Sequence, residues 1–289
     1  MGVDLHTHTT ASDGSDSPFD LVEAAASLGL SAVAVTDHDT TQGLEEAGEA
    51  ASRVGIELVR GVELSLDWRG GAMHMLVLLV RRPDLLHSRL APVRRARMRR
   101  NLQIAEHLQS LGVEVTMEEV KQEGGEGTIG RPHFASLLAK KGYVADIQEA
   151  FSRYLGRGCP AYAERYRLAP DEGIRLAHAV GGVAVLAHPL TLGLEGGDLS
   201  DLLGDLAAQG MDGMEAYYGA YEPPTRRTLA KLARRHGLIP AGGSDYHGRF
   251  KPQIGLGVGR GDLTVPDRVL EELRAVAATA SNARQPRGS

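Results

Sequence analysis

A His-x-His pair, His6 and His8, follows the short apolar segment Val3–Leu5 near the start of the chain. Alternate residues of an extended segment project to the same side, so one metal ion can bind both imidazoles. Two surface histidines are the simpler interpretation of this pair taken alone, because eleven histidines are spread over 289 residues. The position of the pair, directly after an apolar segment, favours metal binding.

The same pattern of apolar segments followed by imidazoles or carboxylates recurs along the chain. The further residues are Asp13, His38, Glu63, His74, His188, Asp245 and His247. Side chains just beyond the C-terminal ends of barrel strands point into one shared mouth, so these nine groups are expected to converge. Asp37 and Asp39 flank His38 and are interpreted as groups that orient imidazoles, with helix capping as an alternative for Asp39.

The types of these side chains indicate the metal and its chemistry. Imidazole and carboxylate without thiolate suit Zn²⁺, Mn²⁺ or Fe²⁺ and argue against Cu(I) or an iron–sulfur cluster. Nine groups exceed the ligands that one ion uses, so two or three divalent ions are predicted, with Glu63 as the natural bridging carboxylate. Clustered ions bind phosphate oxygens, lower the pKa of a bridging water and stabilise a leaving oxygen. This is the chemistry of phosphoester hydrolysis.

Seven apolar segments that alternate with helical patterns are expected to position these groups. This alternation predicts βαβ units, a parallel sheet and an α/β fold. The segments are Val3–Leu5, Ala32–Thr36, Glu57–Leu66, Ala72–Leu79, Val183–Ala187, Gly213–Tyr217 and Leu238–Gly242. The third and fourth are expected to form a hairpin through residues 68–71.

The alternation of apolar segments with helical patterns stops between residues 83 and 166. These residues are expected to form a mostly helical insertion covering the site. Helices are predicted over Pro92–Leu111, Arg131–Lys141 and Asp146–Leu155. The predicted division of the chain is residues 1–82 for the first part of the barrel, 83–166 for the insertion, 167–280 for the second part of the barrel and 281–289 for a disordered tail.

Composition excludes several classes of protein. A formal net charge of −5 argues against a general nucleic-acid coat protein. The single cysteine, Cys159, excludes an internal disulfide framework and a cysteine-based zinc cluster. The N-terminus lacks the basic start and apolar run of a signal peptide, and no segment has the length of a membrane span. A cytoplasmic protein without membrane contact is therefore expected, and its oligomeric state is left open.

Together these residues resemble the PHP (polymerase and histidinol phosphatase) family of metal-dependent phosphoesterases. The motifs that carry the resemblance are Asp4-Leu5-His6-Thr7-His8, Thr36-Asp37-His38-Asp39, Gly61-x-Glu63-x-Ser65 with His74, Ala187-His188-Pro189 and Ser244-Asp245-Tyr246-His247. The chain is most similar to the stand-alone branch that includes 3′,5′-nucleoside bisphosphate phosphatase and cyclic phosphodiesterase relatives. The resemblance implies a distorted (β/α)7 TIM-like barrel, which agrees with the seven predicted strands.

The resemblance also implies how the ligands are shared. It assigns His6, His8, Glu63 and Asp245 to a first ion, Glu63, His74 and His188 to a second, and Asp13, His38 and His247 to a third. Glu63, Asp245 and His188 are the expected catalytic residues. His188 is the least certain ligand, because it is also suited to contact the phosphate or to protonate the leaving group.

Substrate contacts are expected in the insertion. The branch carries a Gly-Arg-Pro-His motif there, seen here as Gly130-Arg131-Pro132-His133. Arg131 is the predicted phosphate ligand, because a guanidinium makes paired hydrogen bonds to phosphate oxygens; a solvated arginine is the alternative. His133 is a second candidate, with a partly buried histidine as the alternative. The arginine run 94–100 wraps around one helix, so most of its side chains are expected to be solvated; the alternative for some of them is to face the mouth of the site and steer anionic substrate.

The sequence thus predicts an enzyme that hydrolyses small phosphorylated, nucleotide-type substrates by means of a metal-bridging hydroxide. The candidates are a 3′,5′-nucleoside bisphosphate, a cyclic phosphodiester or a short RNA 5′ end, with an oligonucleotide as a further partner. One alternative is an amidohydrolase-type C–N hydrolase, which leaves Asp13, Glu63 and His247 without a role. The other is a non-enzymatic, metal-stabilised module that binds nucleic acid through its arginine-rich helix.

Overall fold

Eight short strands carry the architecture of the described chain. The structure, a computed structural model, describes residues 2–283 except residues 70, 126 and 195. The strands are β1 (Val3–Asp4), β2 (Ala32–Val35), β3 (Glu57–Arg60), β4 (Val62–Trp68), β5 (Gly71–Leu78), β6 (Val183–Leu186), β7 (Gly213–Tyr218) and β8 (Ile239–Gly243). Every residue of β2 and β6 is buried, as expected for apolar strands covered on both faces.

The strands form two sheets. β1, β2 and β3 pair in parallel, and the second sheet has the order β4-β5-β6-β7-β8. In the second sheet β5 is antiparallel to both β4 and β6, whereas β6, β7 and β8 are parallel. The antiparallel pair β4–β5 matches the predicted hairpin. The fold is thus a mixed α/β fold with parallel pairing, although β5 departs from a simple repeat of strand and helix.

The predicted third strand, Glu57–Leu66, was wrong as a single unit, because the chain changes sheets at Gly61. β3 pairs with β2, whereas β4 pairs with β5. A Cβ atom at Gly61 would lie 2.8 Å from Thr36 Cγ2 and 3.0 Å from the Val77 carbonyl oxygen, so glycine permits this close passage. The Glu63 N–H donates to the Thr36 carbonyl at 2.9 Å, which keeps β4 beside the end of β2.

The two sheets share one apolar core. Its members include Leu5, Ala34 and Val59 from the first sheet and its ends, and Val185 and Ala241 from the second. Backbone hydrogen bonds also join the end of β1 to the end of β8, since the Leu5 N–H donates to Gly242 and the Asp245 N–H to His6. The carboxyl ends of these strands therefore lie side by side.

Eleven α-helices are found in the described residues. They are α1 (Pro18–Ser27), α2 (Leu44–Val54), α3 (Pro83–Arg89), α4 (Ala91–Ser110), α5 (Met117–Gly124), α6 (Arg131–Lys140), α7 (Ile147–Ala150), α8 (Pro170–Ala179), α9 (Gly196–Ala208), α10 (Pro223–Arg235) and α11 (Asp267–Ala283). α1 begins where the Ser17 hydroxyl accepts the Asp20 N–H at 3.0 Å, and α2 ends at Gly55, whose φ of 77° lies in the left-handed region. None of these helices has the length and apolar character that a bilayer span requires.

Residues 104–163 build a core of their own. Ile104 and Leu108 of α4 pack with Phe134 and Leu138 of α6 in a cluster separate from the sheets. The first turn of α4 instead buries Val93 against the strands. The helix predicted over Asp146–Leu155 is a short α-helix, α7, followed by a π-helical turn at Phe151–Leu155.

The last helix runs beyond its predicted end. α11 continues to Ala283, so the first three residues of the predicted tail, 281–283, are helical. The rest of that tail, residues 284–289, lies outside the described residues.

Candidate metal centre

The nine predicted ligands come together beside the carboxyl ends of β1, β2, β6 and β8, although Glu63 lies at the start of β4 and His74 lies within β5. Their positions are His6 and His8 after β1, Asp13 in the following loop, His38 after β2, Glu63 in β4, His74 in β5, His188 after β6, and Asp245 and His247 after β8. Eight of their side chains are at most 12% exposed, and that of His74 is 25% exposed. The predicted convergence is thus observed as geometry.

Unusual backbone conformations turn two of these side chains into the cluster. His188 and Asp245 have φ values of 27° and 59°, which non-glycine residues rarely adopt. The His188 N–H donates to Glu215 Oε2 at 2.7 Å, and the Asp245 N–H donates to the His6 carbonyl at 2.8 Å. Buried hydrogen bonds therefore hold the sharp turns at the ends of β6 and β8.

Glu63 lies at the centre of the cluster with its two oxygens facing different imidazoles. Oε2 lies 3.3 Å from His6 Nε2, 3.1 Å from His8 Nε2 and 3.2 Å from His38 Nδ1. Oε1 lies 3.0 Å from His74 Nδ1 and 3.0 Å from His188 Nε2. A carboxylate with imidazoles on both oxygens has the arrangement of a bridging ligand.

A second carboxylate, that of Asp13, faces the other ring nitrogens of His8 and His38 and also faces His247. Its Oδ1 lies 3.5 Å from His8 Nδ1 and 3.6 Å from His247 Nε2, and its Oδ2 lies 3.8 Å from His38 Nε2. His8 and His38 thus each present one nitrogen to Glu63 and the other to Asp13.

Three groups of side chains have the spacing of a metal site. They are His6, His8 and Glu63; His38, Glu63 and His74; and His8, Asp13, His38 and His247, each with ligand atoms within 4.8 Å of one another. His38 therefore contacts two groups rather than the single group that the family resemblance implies. Asp245 joins the first group, since its Oδ1 lies 3.5 Å from His6 Nε2 and 3.4 Å from His8 Nε2.

The donor atoms fit divalent cations. Metal–ligand distances of about 2.0–2.1 Å in a tetrahedral site place ligand atoms about 3.3 Å apart, close to the spacings around Glu63. The Nε2 atoms of His6 and His8 lie 3.1 Å apart. His38 Nδ1 is buried without a hydrogen-bond partner among the described residues, although Glu63 Oε2 is 3.2 Å away. A cation among these atoms satisfies lone pairs that hydrogen bonds leave unused.

Burial and neighbouring charges shift the pKa values of the imidazoles in the cluster in opposite directions. Burial lowers the pKa of His8, but hydrogen bonds and charge from Asp245 and Glu63 outweigh it and raise the pKa to about 9. Burial dominates at His38 and lowers its pKa to about 3, and it also holds the pKa of His247 well below the usual range. His38 and His247 are therefore neutral at physiological pH, whereas a cation must displace a proton at His8.

Glu215 supports the cluster and was missed by the sequence analysis. This fully buried residue of β7 has Oε1 3.0 Å from His6 Nδ1 and Oε2 2.7 Å from the His188 backbone nitrogen. It therefore fixes the ring of His6 and the turn at His188 together. A signal was present in the sequence, since Glu215 is the one charged residue in the segment Gly213–Tyr218.

The interpretation as a group that orients an imidazole was wrong for Asp39, whereas Asp37 lies behind His8 through the Ser12 hydroxyl, which is 3.4 Å from His8 Nδ1. Asp37 accepts hydrogen bonds from the Thr9 backbone at 2.8 Å and the Ser12 hydroxyl at 2.6 Å, so it shapes the loop after β1. Asp39 accepts from Arg97 at 2.5 Å and Arg165 at 3.1 Å. Helix capping by Asp39 was also wrong, because the residue preceding α2 is Gly43.

A cavity of about 370 Å³ opens beside the cluster. Asp13, His38, His74 and His247 line one side of it, and Arg131 is among its other lining residues. The Arg131 guanidinium donates to the Leu155 carbonyl at 3.2 Å.

His133, the other predicted substrate contact, is not among the described residues that line this cavity. It is fully buried, and its Nδ1 accepts the Gly130 N–H at 3.0 Å.

The same cavity contains basic residues that the sequence analysis did not identify as binding residues. Arg97 and Arg100 of α4 line it, together with Arg165 and Arg167 from the segment before α8. Arg97 and Arg100 are three residues apart and share one helix face, whereas Arg99 is exposed. Arg97 and Arg100 thus face the site, as the alternative for some residues of the run has it, whereas Arg95 and Arg99 are exposed.

Comparison with known proteins gives matches along most of the chain. The family model for the PHP domain matches residues 4–143. A 5′-3′ exoribonuclease of Haemophilus influenzae is 36% identical, over 84% of this chain and 89% of the relative. A 3′,5′-nucleoside bisphosphate phosphatase of Chromobacterium violaceum is 32% identical, over 85% of this chain and 87% of the relative.

A third relative and a solved structure extend these matches. A phosphoribosyl 1,2-cyclic phosphate 1,2-diphosphodiesterase of Eggerthella lenta is 35% identical, over 89% of this chain and 99% of the relative. A crystal structure assigned as a metal-dependent phosphoesterase of Bifidobacterium adolescentis superposes with a TM-score of 0.84 at 34% identity, over 95% of this chain and 96% of that one.

Proposed function

Because this chain belongs to the PHP family of metal-dependent phosphoesterases, we propose that it hydrolyses phosphoesters of small ribose-phosphate substrates of the nucleotide type. The three relatives support this class, since their names describe RNA, a nucleoside bisphosphate and a phosphoribosyl cyclic phosphate. A nucleotide-type substrate also favours a cytoplasmic location.

The arrangement around Glu63 is the observation that carries the proposal. Its oxygens face five imidazoles at 3.0–3.3 Å, which favours a carboxylate shared between two ions. The second carboxylate, Asp13, supports a third ion. We therefore propose two or three divalent ions, with Mn²⁺, Fe²⁺ or Zn²⁺ suited to nitrogen and oxygen donors.

When bound, such ions supply a lowered water pKa and charge stabilisation of the phosphoryl oxygens. Glu63 and Asp245 hold and orient them in our proposal. Asp245 is itself fixed, because its Oδ2 accepts hydrogen bonds from the Tyr218 hydroxyl at 2.7 Å and the Lys251 ammonium at 2.6 Å. These contacts leave Oδ1 directed towards His6 and His8.

His188 is proposed as a ligand rather than as a proton donor. Its Nε2 lies 3.0 Å from Glu63 Oε1, and its Nδ1 lies 2.9 Å from the Thr191 hydroxyl. Both ring nitrogens are thus directed at fixed partners, which favours a positioned ligand.

The architecture of the substrate site is also part of the proposal. We propose that the two sheets complete the distorted (β/α)7 barrel of the family, which the hydrogen bonds between the ends of β1 and β8 support. Residues 83–166 would form the insertion over the site, between barrel parts 1–82 and 167–280. The separate core of residues 104–163 supports this division, and Arg131 then delivers a positive charge from the insertion to the cavity.

The proposed function is tested by removing ligands of the cluster. His6→Ala and Asp245→Asn variants, reconstituted with Mn²⁺, are compared with the wild type and with a His87→Ala control, whose residue lies outside the cluster. We expect hydrolysis of a 3′,5′-bisphosphate, a 2′,3′-cyclic phosphate, short RNA or an aryl phosphate to fall by at least about 100-fold, together with metal content. His87→Ala should retain both. The product measured is phosphate for the bisphosphate and the aryl phosphate, a phosphomonoester for the cyclic phosphate and mononucleotides for RNA.

Full activity and metal content in both ligand variants would contradict the proposal. Hydrolysis of a lactam or cyclic amide, without cleavage of a phosphoester bond in any of these substrates, would favour the C–N hydrolase instead.

A further inference from the structure

His133 is a fully buried residue of α6 to which the proposed function gives no role. Its Nδ1 accepts the Gly130 N–H at 3.0 Å, so Nδ1 carries no hydrogen. Burial lowers the pKa of His133, which keeps the ring neutral at physiological pH. The hydrogen of the neutral ring is therefore on Nε2, and this buried atom has no hydrogen-bond partner among the described residues. Hydrogen bonding alone does not explain the position of the ring.

One contact of His133 leads to the turn that follows His247. The ring of His133 meets that of Phe250 edge to face, with the centroids 5.4 Å apart and the planes at 72°. In this arrangement the positive edge of one ring faces the electron-rich face of the other. Phe250 ends the short 3-10 turn Gly248–Phe250, which begins directly after His247. The Phe250 N–H also donates to the His247 carbonyl at 3.4 Å. His133 therefore packs against the turn attached to a predicted metal ligand.

The other contact of His133 leads to Asp13. Gly130 directly precedes α6, and a Cβ atom built on it would lie 3.5 Å from Asp13 Oδ2. The start of α6 thus lies beside this carboxylate. The hydrogen bond from Gly130 to His133 Nδ1 fixes the first turn of α6, in the manner of a helix cap, and so fixes the backbone beside Asp13.

Asp13 and His247 are ligands of the same predicted metal group. We call the four residues of this group the Asp13 group; they are His8, Asp13, His38 and His247. His8 and His38 also face Glu63, at 3.1 Å and 3.2 Å. Asp13 and His247 are members of the Asp13 group alone. The two contacts of His133 thus reach the two ligands that distinguish this group from the groups around Glu63.

We infer that His133 is a positioning residue of the metal centre, which holds Asp13 and His247 in place for the third ion and does not contact the substrate. This inference rests on the proposed function, because the third ion is part of that proposal. The affinity of the Asp13 group for its ion then depends on α6, which lies in the segment 83–166. The affinity of the ions at Glu63 does not depend on His133.

Titration of EDTA-treated protein with Mn²⁺ tests this role without catalysis. Asp13→Asn first identifies the binding step of the Asp13 group, as the step that this variant loses. We expect His133→Ala to weaken that step by about 10-fold or more and the other steps by less than about threefold, because residues that orient metal ligands typically contribute about 10–100-fold. His236→Ala is the matched control, since the His236 ring contacts the Ser200 hydroxyl at 2.9 Å and lies outside the metal groups; it should bind Mn²⁺ like the wild type.

Two further variants separate the contacts of His133. His133→Asn keeps an acceptor near the position of Nδ1 but lacks the ring atoms that reach Phe250, so it should restore part of the lost affinity. Phe250→Leu should weaken the same step as His133→Ala, and combining the two should weaken it no further than the more severe single change. Phe250→Leu also provides the test if His133→Ala fails to fold, as judged by its unfolding midpoint.

The metal-free wild type gives an independent measurement. The ¹⁵N chemical shifts of the His133 ring should show a hydrogen on Nε2 and none on Nδ1, as the hydrogen bond from Gly130 requires.

Three outcomes would overturn the inference. The first is wild-type affinity at the Asp13-dependent step in both His133→Ala and Phe250→Leu. The second is an equal weakening of all steps, which indicates a general structural role. The third is a hydrogen on Nδ1 of His133. A wild-type titration without any step that depends on Asp13 would contradict the third ion of the proposed function, and the inference with it.

Discussion

The buried charge of Glu63 is stabilised by the imidazoles that surround its carboxylate. Its side chain is 1% exposed, and five imidazole nitrogens lie within 3.3 Å of its two oxygens. Burial disfavours its charged form, but the neighbouring His38, His6 and His74 outweigh that effect and hold the pKa of Glu63 well below the usual range. It therefore stays ionised, as a bridging ligand must be.

At the same scale, Glu215 is predicted to control the cluster without belonging to it. Glu215→Gln keeps the shape of the side chain but removes the charge that holds the His6 ring and the His188 backbone. Partners of this kind typically change metal affinity or activity by about 10–100-fold when mutated. We expect a weakening of this size in Mn²⁺ binding, measured by metal titration, with a parallel loss of phosphate release.

Glu271→Gln on the exposed face of α11 is the control and should leave metal binding unchanged. Wild-type affinity in Glu215→Gln would show that a neutral amide orients His6 equally well.

At the scale of elements, the segment 83–166, which we propose as an insertion, contacts the loop that carries Asp13. The Thr128 N–H donates to the Ala11 carbonyl at 2.8 Å, and the neighbouring Gly127 packs against the Thr10 carbonyl so closely that a Cβ atom would overlap it. The same insertion contributes α4, with Arg97 and Arg100, to the cavity. A backbone hydrogen bond therefore connects the loop of Asp13 to the segment that supplies Arg97 and Arg100 to the cavity.

Gly127→Ala is predicted to disturb that contact. The added methyl group must push residue 127 away from the loop at Thr10, which displaces Arg97 and Arg100 from the metal ligands that line the same cavity. We expect an increase in KM for a nucleoside bisphosphate of about 10-fold or more, because roughly 1.4 kcal/mol of lost binding corresponds to a factor of ten.

Gly48→Ala in α2 is the matched substitution. Its Cβ atom would meet only Leu58 Cδ2 at 4.0 Å, and replacing a helical glycine by alanine stabilises a helix by about 0.5–1 kcal/mol. Equal KM values for the two variants would mean that the loop contact does not position the cavity.

At the scale of the whole molecule, metal binding and folding are linked, because the ligands lie between residues 6 and 247 of the chain. No short segment can form this site on its own, so an ion that binds the cluster stabilises only the folded chain. The net charge of −5 gives no indication of this site, because a sum over the whole chain does not record which charged side chains line one cavity.

The stabilisation by metal is predicted to increase with pH. In the metal-free protein the pKa of His8 is raised to about 9, so its ion pairs with Glu63 and Asp245 contribute stability below about pH 6.5. That contribution is lost as the pH rises towards 9, because His8 then loses its proton. A cation that binds His8 at such a pH no longer has to displace this proton. Thermal unfolding should therefore show a larger rise in Tm on adding Mn²⁺ at pH 8 than at pH 6.5.

The expected rise at pH 8 is roughly 5–10 °C when Mn²⁺ exceeds its Kd by 100-fold. A His8→Ala variant should lose most of the pH dependence. A smaller rise at pH 8 than at pH 6.5 in the wild type would contradict the assignment of a bound proton to His8.

The sequence by itself determined which side chains form the cluster, because a ligand motif at a strand end is local. His6-x-His8 after β1 and Asp245-x-His247 after β8 were recognisable from their neighbours, and parallel strands bring their carboxyl ends together. Arg131, predicted as a phosphate ligand from the family motif around it, lines the cavity beside the cluster. The hairpin of β4 and β5 was also predictable, since a short turn rich in glycine joins its strands.

Only the tertiary structure decided which side chains from distant parts of the sequence come into contact. Gly61 moves the chain from one sheet to the other and brings Glu63 beside His38. Glu215 holds the ring of His6, which lies more than two hundred residues earlier in the chain. Arg97 and Arg165 meet at Asp39, although nothing in their local sequence links them. Burial and charge depend on such contacts across the fold, and a sequence pattern records only the neighbours along the chain.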